Sequence, residues 1–293
     1  MGHQPRRIGN DSQKGHGQDE PGLEPVAVPV GNRQFLVGLA RAFAGALIFT
    51  LPMLMTMEMW WLGFYMGPLR IALLLVLTLP ILVGLSRFGG FRKTSDLAGD
   101  VADALVAIVV AAVAAAATLS LFGVIGPHMS LSESAGKLIL QIPSGALGAM
   151  LARSQLGGQS DRDEEPVSYA GELFLMGVGA LFLSFNVAPT EEMVLIAYKM
   201  SVWQELTLLF ATVLLMHALV YAVNFRGGTP DAHMVGALLK FTIPGYAIVL
   251  LVSLTVLWLF GRLDGLSSEE ALSAGIVLAF PGGVGAALAR LIL

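Results

Sequence analysis

Long apolar segments separated by short polar ones run from Phe35 to the end of the chain. About 20 helical residues cross the roughly 30 Å of hydrocarbon in a bilayer. Windows of that length identify six strong spans, at 35–57, 69–88, 101–125, 171–188, 202–223 and 235–259. Two weaker spans, 130–152 and 267–293, contain proline, glycine and polar residues. We therefore expect an all-α polytopic membrane protein with eight transmembrane helices, and counts of seven and six are the alternatives.

Two pairs of segments in the chain resemble each other. GALIFTLPMLMTMEM begins at Gly45 and GALFLSFNVAPTEEM at Gly179, while PSGALGAMLAR begins at Pro143 and PGGVGAALAR at Pro281. This pattern indicates a tandem duplication of a four-helix unit, with repeats at 35–156 and 169–293. Because each unit crosses the membrane an even number of times, a pseudo-two-fold axis along the membrane normal is expected.

The polar segments and the basic residues indicate how the chain is oriented in the membrane. Residues 1–34 have the composition of a disordered tail, with no signal peptide before Phe35, and 157–168 form a hydrophilic linker. With eight spans, twelve of the 17 Lys and Arg residues lie on the side of the N-terminus and four on the other. Basic loops stay in the cytoplasm, so the tail, the linker and both termini are expected there.

Composition agrees with a membrane protein and excludes several chemistries. Hydrophobic residues make up 55% of the chain and charged residues 13%, against about 25% charged in soluble domains. The absence of cysteine excludes disulfides, thiolate nucleophiles and cysteine-based metal sites. A net charge of -4 gives no reason to expect nucleic acid. No metalloprotease, Walker A or dinucleotide motif is present, so we expect no enzyme activity, cofactor or metal.

Two long strings are typical of a known family. LPMLMTMEMWWLGFYMGPLR and the later ALGAMLARSQLGG resemble an uncharacterised bacterial family of integral membrane proteins, over nearly the whole chain from Phe35 onward. The resemblance implies a multi-pass protein of the bacterial inner membrane. It implies no activity and no functional residue.

The fourth and eighth spans contain the sequence features that point most strongly to a functional site. Each begins with a capping box, at Ser130 and Ser267, and each meets a mid-span proline, in Pro143-Ser144-Gly145 and Pro281-Gly282-Gly283. Proline removes a helical hydrogen bond, so both helices are expected to kink or break there. Paired broken helices are typical of transporter sites. The alternative is that Ser144 and Gly282 belong to small-residue stripes that only allow close packing.

Charged residues inside the spans are few. Arg41, Asp103, Glu172 and Lys240 lie toward the cytoplasmic ends, where Arg41 is expected to pair with Glu172 or Asp103. The alternative is that these side chains reach the interface and are solvated there.

On the opposite side, Glu58 and Glu192 occupy equivalent positions of the two repeats. Facing carboxylates would attract cations, and close approach would raise the pKa of one of them. Ordinary solvated carboxylates beside an aromatic belt are the alternative.

Other polar residues complete the candidate pathway. Glu133, Lys137 and Gln141 form a stripe on one face of the fourth span that is expected to face the bundle interior. Asn186 and His217 lie in the fifth and sixth spans, and His217 fits either a helix-helix hydrogen bond or a proton relay. Copper binding by Met53, Met55, Met57 and Met59, and proteolysis by Ser144 with His217, are disfavoured.

These observations favour transport or conduction of a small solute, a cation or a proton, along the interface between the repeats. The other class is a non-transporting assembly or regulatory subunit. The expected partners are the lipid bilayer and the transported ion, and a homo-oligomer is compatible with the sequence.

Overall fold

A computed structural model describes residues 32–88, 97–156, 168–227 and 234–292. Almost all of the predicted tail (1–34) and linker (157–168) lies outside these ranges. The described residues form α-helices and one π-helical segment, Leu238–Thr242. The α-helices are α1 Asn32–Leu54, α2 Met57–Tyr65, α3 Pro68–Phe88, α4 Leu97–Leu121, α5 Leu131–Leu156, α6 Tyr169–Val187, α7 Glu192–Lys199, α8 Val202–Gly227, α9 Met234–Ala237, α10 Ile243–Leu259 and α11 Ser268–Ile292.

Within the described residues, eight helical segments are long and apolar enough to cross a membrane, as the hydropathy pattern predicts. Seven are the helices α1, α3, α4, α5, α6, α8 and α11, and the eighth is the continuous stretch Met234–Leu259. We call the end of the bundle where α1 begins the near face and the other end the far face.

The two weakest spans by hydropathy are the most deeply buried helices. In α5, 72% of the spanning window is buried inside the protein, and in α11 67%, whereas the other spans have 17–39%. The polar residues that weaken their hydropathy are therefore shielded from lipid by other helices.

Both buried helices begin at the predicted capping boxes. The backbone N–H of Glu133 donates to Ser130 Oγ at 3.2 Å, and that of Glu270 donates to Ser267 Oγ at 3.3 Å. The Glu270 carboxylate also accepts from the Ser267 N–H at 2.7 Å, which completes the reciprocal pattern.

Neither helix breaks at its proline. Pro143 lies inside α5 and Pro281 inside α11, and both helices continue for more than two turns beyond it. The expected break is therefore absent, and a kink at either proline stays a prediction. Neighbouring helices pack around these positions and support the helix, as is common for proline in transmembrane helices.

Close backbone contact joins each of these helices to the first span of its half. Gly45 of α1 lies against the Gly148 carbonyl of α5, and Gly179 of α6 lies against the Gly285 carbonyl of α11. A Cβ atom at Gly45 or Gly179 would overlap these carbonyls. The matched contacts support the predicted duplication, which itself stays a prediction.

The helices α2 and α7 are short far-face elements in connections between the predicted spans, where no helix was expected. α2 packs on α5 through Gly63 and Gly136, where each glycine removes a clash with the partner backbone. α7 packs on α11 in the other half. Each short helix thus covers the far end of a buried spanning helix.

The Gly45 contact gives a test of this packing. Gly45→Ala should lower the thermal midpoint of unfolding in detergent, because overpacking a tight contact costs about 1–3 kcal/mol. Gly38→Ala is the matched control on the same helix, since its Cβ would meet no atom within 4 Å. Equal midpoints for the two variants would contradict the close approach of α1 and α5.

Candidate functional site

Gln141 is the most isolated polar side chain of α5. It is fully buried, and neither its amide nitrogen nor its amide oxygen has a hydrogen-bond partner among the described residues. Leaving a buried polar group unsatisfied costs about 1–3 kcal/mol. Gln141, which was predicted to face the interior, is confirmed as buried. Its amide is free to form hydrogen bonds with water or to bind an ion.

A second group of unsatisfied atoms lies beside Gly282 of α11. The hydroxyls of Ser184 on α6 and Ser253 on α10 are fully buried and lack partners among the described residues. A Cβ atom at Gly282 would lie 3.1 Å from Ser184 Oγ and 3.5 Å from Ser253 Oγ. Both oxygens therefore border the same small space that the glycine leaves open.

The first half differs at the corresponding positions. Thr50 of α1, which aligns with Ser184, donates its hydroxyl to the Ala46 carbonyl at 2.6 Å. Ser144, next to Pro143, is buried and donates to the Gln141 carbonyl at 3.3 Å. The hydroxyls of Thr50 and Ser144 are thus satisfied by their own helices, whereas the nearby Gln141 amide is unsatisfied.

Pro244 explains the unusual backbone at the near-face end of the seventh span. In an α-helix its N–H would bond the Lys240 carbonyl four residues earlier, but proline has no N–H. The Tyr169 hydroxyl donates to that carbonyl instead, at 2.7 Å. The adjacent π-helical segment bonds the Ile243 N–H to the Leu238 carbonyl. The exposed side chain of Lys240 lies on this segment.

His217 lies against the same π-helical segment. Its Nδ1 is 3.0 Å from Thr242 Oγ1, and both residues are buried. The contact joins α8 to the seventh span, which is the helix-helix alternative proposed for this histidine. Asn186 donates from Nδ2 to the Phe182 carbonyl at 2.8 Å, while its Oδ1 has no partner among the described residues.

Glu172 forms the near-face ion pair, but with a different partner from the one expected. Its carboxylate lies 2.8 Å from Arg290 at the end of α11, and the guanidinium also lies 3.8 Å from the Phe241 ring centroid. The predicted pairing of Arg41 with Glu172 is wrong, since α11 rather than α1 brings a cation to this carboxylate. Arg41 is half-buried on α1.

Another carboxylate is buried at the near face of the first half. Asp100 is 2% exposed and accepts a hydrogen bond from Ser86 at 2.8 Å. Asp103, the second partner expected for Arg41, lies one turn further along α4 and is half-buried.

Lys137 occupies the far-face end of α5. Its ammonium lies 2.8 Å from the Glu133 carboxylate, 3.2 Å from the Val124 carbonyl and 4.8 Å from the Phe64 ring centroid. With only 4% of the residue exposed, these contacts enclose the charge. The predicted interior orientation of the stripe is confirmed.

The two glutamates predicted to face each other lie in the first turns of the short helices. Glu58 is half-buried in α2, and Glu192 is exposed in α7. A hydrogen bond from its own backbone N–H lowers the pKa of the Glu192 carboxyl. This direction is opposite to the raised pKa expected for a proton-exchanging pair, so Glu192 is ionised at neutral pH.

An ion pair joins the two halves at the far face. Arg70 of α3 contacts Asp264, which follows α10, through two hydrogen bonds of 2.5 and 2.6 Å. This contact lowers the pKa of the Asp264 carboxyl. The pair therefore contributes to stability at neutral pH and loses that contribution as the pH falls through the lowered pKa.

Between the halves lies a groove of about 530 Å³, bordered by α3, α5, α6 and α10. Pro143 is one of the lining residues, and nearly all of the others are apolar. The only two hydroxyls in this lining belong to Thr78 and Thr255, and each donates to a carbonyl of its own helix. A polar path was expected along this interface, but the side chains that line it are nearly all apolar.

Sequence reasoning missed several of these residues. Pro244 stands four residues after Lys240, a spacing that could have indicated the freed carbonyl and its need for a donor. Nothing in the sequence distinguished Ser184 or Ser253, because single serines are frequent in transmembrane helices.

One comparison with known proteins gives a match. A sequence model of the family described as "Putative integral membrane protein (DUF2391)" matches residues 38–293. The resemblance seen in the sequence is thus confirmed. No curated protein and no solved structure matches the chain.

The two ion pairs should respond differently to removal of the carboxylate. Glu172→Gln removes the Glu172–Arg290 ion pair from a mostly buried site, where breaking a pair costs about 3–5 kcal/mol. Asp264→Asn should cost less than about 1 kcal/mol, because 58% of that side chain is exposed. Thermal midpoints in detergent measure both effects.

A second substitution separates charge from packing. Adding Arg290→Met to Glu172→Gln should recover part of the lost stability, since the mostly buried cation is removed as well. A midpoint for Glu172→Gln equal to that of the wild type would contradict the near-face pair.

Proposed function

The chain belongs to the DUF2391 family of integral membrane proteins, and from this premise we propose that it transports a small cation or a proton across the membrane. The observation that carries the proposal is the set of unsatisfied polar atoms packed around the two most buried helices. Among them are the amide of Gln141 on α5 and, beside Gly282 of α11, the hydroxyls of Ser184 on α6 and Ser253 on α10.

The energetics of burial support this proposal. A polar group held in an apolar interior without a partner destabilises the fold, and nearby water or an ion removes that cost. Amide and hydroxyl oxygens are suitable ligands for hard cations. Two hydroxyls beside Gly282, with one buried amide in the other half, are thus a reasonable set of interior binding positions.

The polar positions suggest where the pathway runs. They lie within each half, around α5 and α11, whereas the groove between the halves is lined by apolar side chains. A charged solute in that groove would lose its hydration without compensation. We therefore place the proposed pathway through the halves rather than along the interface between them.

Glu58 and Glu192 are the proposed far-face entrance. Both lie at the starts of short helices that cover the far ends of the buried helices, and an ionised Glu192 attracts cations to that surface. Their role is electrostatic attraction rather than proton exchange.

The membrane and its sidedness are part of the same proposal. The twelve-to-four distribution of basic residues supports cytoplasmic termini, with the near face in the cytoplasm and the bacterial inner membrane as the location. Transport without covalent chemistry also fits the absence of a recognisable catalytic motif in the sequence.

The apolar groove favours a second candidate function. A non-transporting assembly or regulatory subunit needs membrane helices and contact surfaces but no polar path. That alternative leaves the unsatisfied atoms of Gln141, Ser184 and Ser253 without a purpose, which is why we favour transport.

Flux measurements in proteoliposomes test the proposal. Purified protein should conduct protons or a monovalent cation above the level of empty liposomes, and combined Ser184→Ala and Ser253→Ala substitutions should reduce this flux severalfold. Thr50→Val is the matched control, because its hydroxyl is already bonded within α1. The combined Glu58→Gln and Glu192→Gln variant should lower flux most at low ionic strength, where surface charge acts over the longest range.

Three results of these flux measurements would each contradict one part of the proposal. Equal flux in the double serine variant and the wild type would contradict the interior site, and unchanged flux in the double glutamine variant would remove the entrance. Absence of flux for protons and all monovalent cations would favour the non-transporting alternative.

A further inference from the structure

The groove between the halves follows the direction of the spanning helices. Its lining on α6 extends from Ala170, next to the near-face Tyr169, to Phe185 near the far end of that helix. At 1.5 Å per helical residue this run is about 22 Å long. The groove therefore extends through much of the hydrocarbon thickness instead of forming a compact chamber.

The groove is open to the surrounding bilayer along its side. Leu77 of α3 and Leu251 of α10 both line it, and they are 41% and 66% exposed. A molecule could enter laterally from the lipid without crossing either face of the protein.

The width of the groove limits what can occupy it. Its volume of about 530 Å³ is spread along about 22 Å of α6. A helix with side chains is about 10–12 Å across, so 22 Å of it occupies roughly three times this volume, and a helix of a second copy is not accommodated inside the groove. A single extended hydrocarbon chain fits.

The chemistry of the lining excludes water as the occupant. A water molecule needs two to four polar partners, but Thr78 and Thr255 already donate to the carbonyls of Leu74 and Leu251. Removing apolar surface from contact with other atoms forfeits dispersion energy. An apolar chain filling the groove restores these contacts.

We propose that the groove binds one acyl chain of a membrane phospholipid, held between α3 and α5 of the first half and α6 and α10 of the second. The chain lies parallel to the spanning helices and packs against Pro143, which lines the groove on α5. This lipid site is separate from the polar positions of the proposed transport pathway, and it exists whether or not the protein transports an ion.

Photocrosslinking tests this site directly. Purified full-length protein in nanodiscs receives a phospholipid with a diazirine on one acyl chain, and labelled peptides are mapped by mass spectrometry after irradiation. Labelling should concentrate on the α6 and α10 segments that line the groove, around Gly177 and Ile248, rather than on the more exposed α8.

Filling variants supply the control. Leu77→Trp adds bulk inside the groove and should reduce labelling of its lining severalfold, whereas Val76→Trp, the next residue of α3, does not line the groove and should leave labelling unchanged. Gly177→Leu is a second filler on α6, in case the first perturbs folding.

Two outcomes would overturn the proposal. One is labelling spread over all lipid-facing helices in proportion to their exposure. The other is groove labelling that neither filler reduces. Ion flux is measured on the same variants, so loss of the lipid site and failure of the transport proposal are separate results.

Discussion

Close contact between helix backbones is the constraint on which the rest of this fold depends. Lipid tails are as apolar as leucine, so apolar burial alone gives little drive for helices to associate, and packing at small residues has to supply it. Gly45 against Gly148 and Gly179 against Gly285 bring helices together at points where no side chain intervenes. Once α5 and α11 are held this closely, they are shielded from lipid and can carry polar residues.

Shielding from lipid allows α5 to carry polar side chains in the middle of the bundle. Lys137, Gln141 and Ser144 would be costly on a lipid-facing helix, but α5 keeps all three buried within protein. Lys137 and Ser144 find partners, whereas Gln141 does not. Burial in α5 therefore does not by itself leave a polar side chain without a hydrogen-bond partner. The unsatisfied Gln141 on α5 and the unsatisfied Ser184 and Ser253 beside α11 are the basis for proposing an interior pathway.

The sequence predicted most of the fold because membrane crossing imposes a strong constraint on it. Span number and the starts of α5 and α11 followed from apolar length and from the capping boxes at Ser130 and Ser267. The effect of Pro143 and Pro281 did not follow, because continuity of a proline-containing helix depends on the neighbours that support it. The short helices α2 and α7 were missed since they lie in connections between the predicted spans and are too short to cross a membrane.

The site was less predictable than the fold. Burial of Gln141 followed from its helical spacing with Lys137, but the pairing of Glu172 depended on which helix ends meet at the near face. Arg290 and Arg41 are equally suitable cations by sequence, and only tertiary packing selects Arg290. The sequence also did not predict the apolar groove, because four helices that are distant in the chain form its lining.

Cysteine accessibility tests the central claim, that water or ions reach the interior positions beside α11. The chain has no cysteine, so Ser184→Cys and Ser253→Cys can each be labelled with a small water-soluble thiol reagent in membranes. The account predicts that both react, while Ala180→Cys, fully buried on α6 among apolar side chains, does not. No reaction at either serine position, with Glu192→Cys labelled normally at the exposed far face, would contradict it.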